Sequence, residues 1–527
     1  MIVSILDYGA VGDGVTKATR SIQAAIDACA EHGGGTVLVP KGNYLSGTLL
    51  LRSNVTLHLE AEGRIVSSME EADFTAPEGS DELELSEGQG SRALLSARHA
   101  VNIAVTGLGT IDGRGEQFLE PEDGVSDYVL LPLGQFRPKL IDFEGCTNVV
   151  FRDVTLYRAS SWGLHMTGCR TVTISGIKIL GQQRGPNNDG IDPDCCQDVH
   201  ISNCHIETGD DCIVVKTTKY GAERYGACEN ITVTNCTLMS HDSAIKIGTE
   251  THADIRNITV TNCVIRNSNR GVGIWVRDGA TIENMLFSNL IMETRLFSDE
   301  EEINRQLRWW GKSEPIFITA ERRNGGQLPP GSIRNIRFHN IIAETEGCIY
   351  LEDSEESVIE DISIRGLRTK LRRVSGYPGG WFDTQPSARG VFAHHIPALF
   401  CKHARKVTLS DIEVVWGEDK SEHWSNAVYA EQVEDLMIRG FRGAASDAEH
   451  SVIELHRVRD VVVEGSRAER GSGVFLKLAD TAAEELALLN NDLSKAASAV
   501  QAADGAPVTG YFSTGNRLSA EGGARDA

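Results

Sequence analysis

The sequence lacks two features that would place it in other protein classes. It contains no run of about 18 apolar residues, which excludes a transmembrane helix. It has only 51 Lys and Arg against 74 Asp and Glu, so its net charge is −23 and it lacks the basic surface of a general nucleic-acid binder. Its content of 41% hydrophobic and 24% charged residues is typical of a soluble globular protein. We therefore expect neither a nucleic-acid partner nor a membrane partner.

The N-terminus and the cysteines indicate the compartment. The chain begins MIVSILDYGAVGDG, without the basic and long apolar segments of a secretory signal. None of the 12 cysteines forms a C-x-x-C pair, which disfavours a zinc ribbon or a thioredoxin-type site. Because cytosolic thiols normally stay reduced, these observations predict a cytoplasmic protein. A signal removed from the sequence as given is the alternative.

One segment pattern recurs eleven times along the chain. Each copy alternates apolar and polar residues over four or five positions and then reaches Gly, Asn or Asp. Most copies begin 23 to 32 residues apart, and two gaps are longer, at 45 and 51 residues. The copies begin at Asn148, Thr171, Asp198, Asn230, Asn257, Asn284, Asn335, Asp361, Lys406, Asp435 and Asp460, and weaker copies begin at Asn54 and Asn102.

This repeat predicts the fold class. A period near two indicates β-strands, because helical repeats of similar length show a period of 3.6. Gly, Asn and Asp are the residues that tolerate a left-handed backbone, so the turn position is a recurring corner. The turn residues are Asp153, Gly176, Asn203, Asn235, Asn262, Asn289, Asn340, Gly366, Asp411, Gly440 and Gly465. We therefore predict an all-β protein, a single right-handed parallel β-helix.

The ends and insertions of the predicted β-helix complete the domain organisation. Ile22, Ala25, Ile26 and Cys29 have helical spacing, so residues 10–32 are expected to form a capping helix on the first coil. The β-helix is expected over residues 1–480 and its last coil and tail over 481–527. Insertions at 67–92, 295–332 and 370–402 are expected either to wall a binding groove or to cover hydrophobic surface.

Seven cysteines follow the same repeat and are expected to form two ladders. Packed free thiols are the favoured interpretation, and metal binding or redox chemistry is the alternative. The cysteines concerned are Cys146, Cys169, Cys196 and Cys228 in one ladder and Cys204, Cys236 and Cys263 in the other.

Acidic residues are concentrated in the segment 187–216. When Ile191, Ile213 and Ile245 are placed in register on successive coils, Asp189 lies beside Asp211, and Asp210 lies beside Asp242. Such crowding raises the pKa of each carboxyl group, and holding like charges together is energetically costly. A cluster that is kept despite this cost indicates a function. Glycoside hydrolysis requires a carboxylic acid and a carboxylate together. A calcium site and solvated turn aspartates are the alternatives at this point.

Three sequence stretches carry a resemblance to a known family. DYGAVGDG with GGGTVLVPKGNYLSG, RPKLIDFEGCTNVVFRDVTLYRASSWGLH, and NNDGIDPDCCQDVHISNCHIETGDDCIVVK resemble the polygalacturonase family of glycoside hydrolases, family 28, in the pectin-lyase-like β-helix superfamily. The resemblance implies inverting hydrolysis of α-1,4 galacturonosyl bonds. It implies that Asp210 is the general acid, that Asp189 and Asp211 hold and activate the attacking water, and that Asn187 and Asp192 shape the same subsite.

Two motifs of that family are replaced here. Asp242-Ser243-Ala244 stands where the family has Gly-His-Gly, and Gly273-Ile274-Trp275 stands where it has the Arg-Ile-Lys that grips the sugar carboxylate. Trp275 in place of the lysine suits a less charged sugar. The remaining candidates for contact with substrate are His241, Asp242, Lys246, Trp275 and Arg277.

The expected function is hydrolysis of pectin-derived oligosaccharides, from one chain end, without metal or other cofactor. The alternatives are a glycosidase for a rhamnogalacturonan-type or other uncharged plant glycoside, a lyase, and a carbohydrate-binding β-helix without activity. The oligomeric state stays open.

Overall fold

The computed structural model describes residues 1–75, 92–120, 129–134, 136–298 and 309–519. The chain forms two compact units, Met1–Val264 and Ile265–Ala527. Within each unit, strands one coil apart pair in parallel and in register. Mostly parallel strands stacked in this way form a parallel β-helix, which confirms the predicted fold class.

Three parallel sheets, here called A, B and C, form the sides of the first unit. Sheet A contains Leu49–Leu50, Ala93–Arg98, Lys139–Glu144, Leu164–Thr167, Ile191–Asp194, Ile213–Thr217 and Ser243–Thr251. Sheet B contains Ile2–Ser4, Gly35–Val39, Val55–Leu59, Val101–Gly107, Thr147–Arg152, Arg170–Ser175, Gln197–Ser202, Cys228–Thr234 and Ile255–Thr261. Sheet C contains Asp13–Lys17, Gly42–Ser46, Gly63–Ser67, Thr110–Asp112, Thr155–Tyr157, Lys178–Leu180, His205–Thr208 and Thr237–Ser240.

The second unit repeats this arrangement with longer strands that run through the corner between two sides. Its strands are Arg270–Val276, Thr281–Thr294, Ile316–Ala320, Ser332–Thr345, Ile349–Asp353, Val358–Leu371, Leu399–Trp416, Val428–Arg439, Arg442–Gly443, Ile453–His456, Arg459–Glu464, Arg467–Ala468, Val474–Ala479, Leu486–Leu489, Ser498–Ala502 and Phe512–Thr514. Val264–Ser268 spans the point where the chain passes from one unit to the other. An antiparallel hairpin of Trp381–Asp383 and Val391–Ala393 interrupts the coils.

The helices are few and short. Two α-helices, α1 (Thr19–Glu31) and α2 (Lys219–Tyr225), lie in the first unit. Short 3₁₀ helices occur at Ile5–Tyr8, Glu71–Asp73, Gly115–Phe118 and Ala483–Glu485. Among the described residues, no helix combines the length and the apolar character needed to cross a membrane.

The predicted corners are confirmed at every position. All eleven turn residues have a left-handed backbone, with φ between 54° and 70°. The structure also shows a second left-handed column that the sequence analysis missed, at the first residue of each copy, with φ between 51° and 61°. Nine of those eleven first residues are Asn or Asp, so the signal was present in the sequence. Thr171 and Lys406 are the two exceptions.

Side-chain amides of the second column bond to one another between coils. Asn148 donates to Asn102 Oδ1 at 2.8 Å, and Asn102 donates to Asn54 Oδ1 at 2.9 Å. Further along the first unit, Asn230 donates to Asp198 Oδ1 at 3.0 Å. The register places Thr171 between Asn148 and Asp198, so a β-branched residue interrupts this amide ladder.

We expect Thr171→Asn to stabilise the protein by about 1 kcal/mol. Thr171 has φ 56°, a conformation that asparagine tolerates better than a β-branched residue. The new amide would also join the ladder. The measurement is the midpoint of denaturant unfolding. The control is Thr173→Asn, which lies on the same strand and is also exposed, but is outside the left-handed column. An equal gain in both variants, or none in Thr171→Asn, would contradict the interpretation.

The core consists of stacked aliphatic and aromatic side chains from the inward positions of each strand. In sheet B of the first unit, Val149, Val172 and Val199 stack in register, and all three are fully buried. All 12 cysteines are buried free thiols, and Cys196 donates to the carbonyl oxygens of Met166 and Asp194. These contacts agree with the interpretation of the cysteines as packed thiols.

Two boundaries differ from those expected. The helix expected over 10–32 begins only at Thr19, because Asp13–Lys17 pairs with Gly42–Ser46 as the first strand of sheet C. At the other end the coils continue beyond 480, since Leu486–Leu489 and Phe512–Thr514 still pair in parallel. The helical face itself was predicted correctly: Ile22, Ala25, Ile26 and Cys29 are fully buried.

The described residues omit parts of two expected insertions and the end of the tail. The omitted ranges are 76–91 of the insertion at 67–92, 299–308 of the insertion at 295–332, and 520–527.

Candidate active site

Three successive strands of sheet A carry the predicted carboxylates at their N-terminal ends. Ile191 pairs with Ile213, and Ile213 pairs with Ile245, as the sequence register predicted. Close backbone approach fixes the loops before these strands, because a Cβ on Gly209 would lie 2.4 Å from Gly185 O. A Cβ on Gly190 would likewise lie 2.4 Å from Cys212 O. Only glycine fits these two positions, next to Asp210 and Asp189 respectively.

The cluster itself consists of Asp189, Asp210 and Asp211. One carboxylate oxygen from each lies within 4.8 Å of the others. Asp189 is 4% exposed and Asp211 is 2% exposed, whereas Asp210 is half-buried. Asp210 is therefore the member of the cluster whose side chain solvent reaches most readily.

Backbone amides orient Asp210. The N–H of Asn187 donates to Asp210 Oδ2 at 2.8 Å, and the N–H of Asp211 donates to Asp210 Oδ1 at 3.1 Å. Asn188, which was not among the predicted site residues, accepts hydrogen bonds from the N–H groups of Gly209 and Asp210 at 3.0 and 2.9 Å. Asn188 thus holds the loop that presents Asp210, while Asn187 contributes its backbone, which is left-handed with φ 54°.

The two buried members of the cluster have raised pKa values. Burial raises the pKa of Asp189 well above its ordinary value, and the charges of Asp192 and Asp210 add to the rise. Burial also raises the pKa of Asp211, where Lys246 opposes the rise and Asp242 and Asp210 add to it. Oδ1 of Asp189 and Oδ1 of Asp211 accept no hydrogen bond from any described residue. The cluster therefore offers oxygen atoms to a bound water and retains protons to higher pH than ordinary aspartates.

Two lysines compensate the charge of the cluster. Lys246 was predicted as a contact for substrate, and Lys216 was not among the predicted site residues. Lys246 Nζ lies 2.8 Å from Asp211 Oδ2. Lys216 lies 2.8 Å from Asp192 Oδ1 and 3.7 Å from Asp189 Oδ2. Asp192 is fully buried and forms this ion pair with Lys216. Its predicted role in shaping the subsite stays a prediction.

The third cation near the cluster is Arg137, which was not among the predicted site residues. Its guanidinium donates to Asn187 Oδ1 at 3.0 Å and to Pro186 O at 2.8 Å. Burial lowers the pKa of Arg137, and the charges of Asp210 and Asp189 oppose that fall. Among the described residues Arg137 forms no ion pair. The signal for it was its place in the stretch RPKLIDFEGC, which contributes to the resemblance.

His241 and Asp242 lie on the next coil. Both are largely buried, at 8% and 7% exposure. Asp242 accepts from the hydroxyl of Ser243 at 2.9 Å, and its N–H donates to Ser240 Oγ at 2.9 Å. The structure thus places Asp242 at the predicted register position, and its contact with substrate stays a prediction.

Trp275 and Arg277 lie in the second unit, where both are buried. Trp275 is 1% exposed and its ring packs 5.1 Å from that of Phe317. Arg277 donates to Thr319 Oγ1 at 2.6 Å, and burial lowers its pKa to about 10. Neither side chain is accessible to a sugar in this structure. The contact of Trp275 and Arg277 with substrate stays a prediction.

The cluster can perform two kinds of chemistry. A protonated carboxyl beside ionised carboxylates supplies the acid and base of glycoside hydrolysis. The same three carboxylates also satisfy the spacing for a divalent cation, which prefers carboxylate oxygens. Lys216 and Lys246 already balance part of the negative charge, and this favours the acid–base interpretation.

Comparisons with known proteins agree with the acid–base chemistry of glycoside hydrolysis. The family model described as glycosyl hydrolases family 28 matches residues 29–296. A probable polygalacturonase from Vitis vinifera is 31% identical over 255 residues, which is 46% of this chain and 50% of that protein. The chain therefore spans about half the length of this plant relative.

Two solved structures share the fold. A family 28 exopolygalacturonase from Yersinia enterocolitica has a TM-score of 0.63 at 19% identity, covering 83% of this chain and 78% of that one. A hyperthermoactive exopolygalacturonase from Thermotoga maritima has a TM-score of 0.52 at 20% identity, covering 88% and 91%.

Proposed function

The chain belongs to family 28 of the glycosyl hydrolases, and on that premise we propose that it hydrolyses glycosidic bonds of pectin-derived oligosaccharides, with inversion and from one chain end. The observation that carries the proposal is the cluster of Asp189, Asp210 and Asp211 within 4.8 Å, two of them buried with raised pKa values. Such a cluster holds a proton for the leaving oxygen and keeps a carboxylate for the water.

The roles follow from exposure and from the family motif together. Asp210 is the half-buried member, so it is the carboxyl that the glycosidic oxygen can approach, and we assign it as the general acid. Asp189 and Asp211 each keep one oxygen that accepts no hydrogen bond from the residues that the structure describes, and we assign these two aspartates to the attacking water. One carboxylate oxygen from each aspartate lies within 4.8 Å of the others, which is closer than the roughly 6.5–9.5 Å between the carboxyl groups of inverting enzymes. The anomer of the product is therefore a decisive measurement.

The second unit covers part of its own outer face with a hairpin. Its hairpin covers the outer face of the strands that correspond to sheet A, since the Phe382 ring lies 4.7 Å from that of Tyr350 and 4.9 Å from that of Phe400. Within the second unit, a polymer cannot lie along the face that the hairpin covers. We propose that short oligosaccharides, cleaved from one end, are the substrates.

Arg137 supports a charged sugar, although the sequence lacks the Arg-Ile-Lys motif. A guanidinium that pairs with no described carboxylate, and whose charge acts on Asp189 and Asp210, is suited to a galacturonate carboxylate. The second candidate, an uncharged plant glycoside, is favoured by the pairing of Lys216 and Lys246 with aspartates of the site. The cytoplasmic location stays a prediction, which the 12 free buried thiols support.

The test is incubation with defined oligosaccharides ending in galacturonic acid, in galactose or in rhamnose, with identification of the released sugar and its anomer. We expect release of terminal galacturonic acid with inverted configuration. Release of a neutral sugar alone would select the second candidate, and a retained anomer would contradict the proposed mechanism.

The same assay separates hydrolysis from metal-dependent chemistry. We expect activity to persist after treatment with a chelator, because carboxyl groups supply both the acid and the base. Loss of activity with the chelator, restored by calcium, would instead support the lyase or calcium-site alternatives.

A further inference from the structure

Lys216 is a buried cation that neither the sequence motif nor the proposed roles explain. It projects from the strand Ile213–Thr217 and is 4% exposed. Its ammonium lies 2.8 Å from Asp192, 3.7 Å from Asp189 and 3.9 Å from Glu250. The same ammonium lies 3.9 Å from the centroid of the Trp162 ring.

These contacts keep the lysine charged. Burial would lower the pKa of Lys216, but Asp192, Asp189 and Glu250 outweigh burial and raise it well above its ordinary value. An ammonium removed from water requires paired carboxylates and tolerates an aromatic face. Conversely, Asp192 is fully buried and Asp189 is nearly so, and both would lose their cation without Lys216.

The geometry of Asp189 makes this pairing relevant to the reaction. Asp189 Oδ2 faces Lys216, whereas Oδ1 accepts from no described residue. The two oxygens of one carboxylate cannot rotate independently, so the lysine that attracts Oδ2 also orients Oδ1.

We propose that Lys216 is a positioning residue for hydrolysis, which links Asp189 to Asp192 above the Trp162 ring and thereby aims Oδ1 of Asp189 at the attacking water. The proposal rests on the proposed function and adds a residue to it.

The chain offers a matched control, Lys139. Its ammonium lies over the same Trp162 ring at 4.7 Å, and the side chain is 1% exposed. Lys139 contacts Asp142 at 3.2 Å and His165 at 3.0 Å, which lie outside the carboxylate cluster. The two lysines thus share burial and an aromatic partner but differ in their carboxylate partners.

The test compares Lys216→Met and Lys139→Met with the wild type across pH. We expect both variants to unfold at lower temperature, since each loses a buried ion pair. Only Lys216→Met should lose about 10²-fold in kcat, because misplacement of a catalytic group by about 1 Å has that effect. Only Lys216→Met should also shift the acidic limb of the kcat/KM profile to higher pH, and Lys216→Arg should restore part of kcat.

The direction of the pH shift follows from the charges that face Asp189. Asp192, Asp210 and Asp211 raise its pKa, and Lys216 lowers it. Arg137 is a second cation whose charge acts on Asp189, and it stays in place in the variant. Removing Lys216 therefore raises the pKa of Asp189, so a higher pH is needed to ionise it.

The outcomes separate the two proposals. The wild type could be active while Lys216→Met and Lys139→Met show the same loss of kcat and the same acidic limb of the pH profile. That result would overturn the positioning role of Lys216 and leave the proposed function unaffected. A wild type that cleaves no member of the oligosaccharide panel would overturn the proposed function, and with it the role of Lys216 in hydrolysis.

Discussion

Asp210→Asn is expected to lose about 10² to 10⁴ in turnover on the natural substrate, the range that a general acid contributes. The amide has nearly the shape of the carboxylate, so the fold should be kept. Its oxygen can still accept one of the two amide hydrogen bonds that the carboxylate receives from Asn187 and Asp211. The measurement is kcat on the cleaved oligosaccharide, with Asp198→Asn as a control. Asp198 is an exposed aspartate of sheet B, and the same replacement there should leave kcat unchanged.

A nitrophenyl glycoside of the released sugar identifies the role of Asp210. Nitrophenolate leaves without a proton, so a variant that lacks only the general acid should recover most of its rate on this substrate. If Asp210→Asn is not rescued while Asp211→Asn is, the acid role belongs to Asp211, whose pKa burial raises. If all three aspartate variants keep near-wild-type rates on the natural substrate, the assignment of the cluster is wrong and Asp242 is the next residue to test.

The coils were predictable because their determinants are local. A period-two pattern followed by Gly, Asn or Asp specifies a strand and a left-handed corner within ten residues. The second left-handed column is less regular in sequence, because Thr171 and Lys406 occupy two of its positions. There the neighbouring coils impose the conformation against the preference of the residue itself.

The register of the site was predictable, whereas its partners were not. Ile191, Ile213 and Ile245 fix which carboxylates are neighbours, since register follows the inward residues. The contacts of Lys216 and Trp162 depend on the direction of long side chains across coils, which spacing in sequence does not specify.

The second unit shows where alternation ceases to predict exposure. Every residue is buried in the strands Arg270–Val276, Ile316–Ala320 and Ile349–Asp353. The core covers the inner face of these strands, and other segments of the chain cover their outer face. Trp275 was a candidate for contact with a less charged sugar, yet it is buried in the first of these strands. The pattern of one strand cannot reveal which other segments of the chain cover its outer face.

Asp189→Asn and Asp211→Asn are each expected to lose about 10² to 10⁴ in turnover, because each removes a carboxylate from the attacking water. A good leaving group should not rescue them, since the missing step is attack rather than departure. Azide is the sharper probe, because it is already an anion and needs no general base. We expect azide to restore part of the rate of Asp189→Asn and Asp211→Asn and to yield a glycosyl azide, while leaving Asp210→Asn unchanged. Rescue of Asp210→Asn by azide instead would exchange the roles of acid and base within the cluster, and the fold and the substrate assignment would be unaffected.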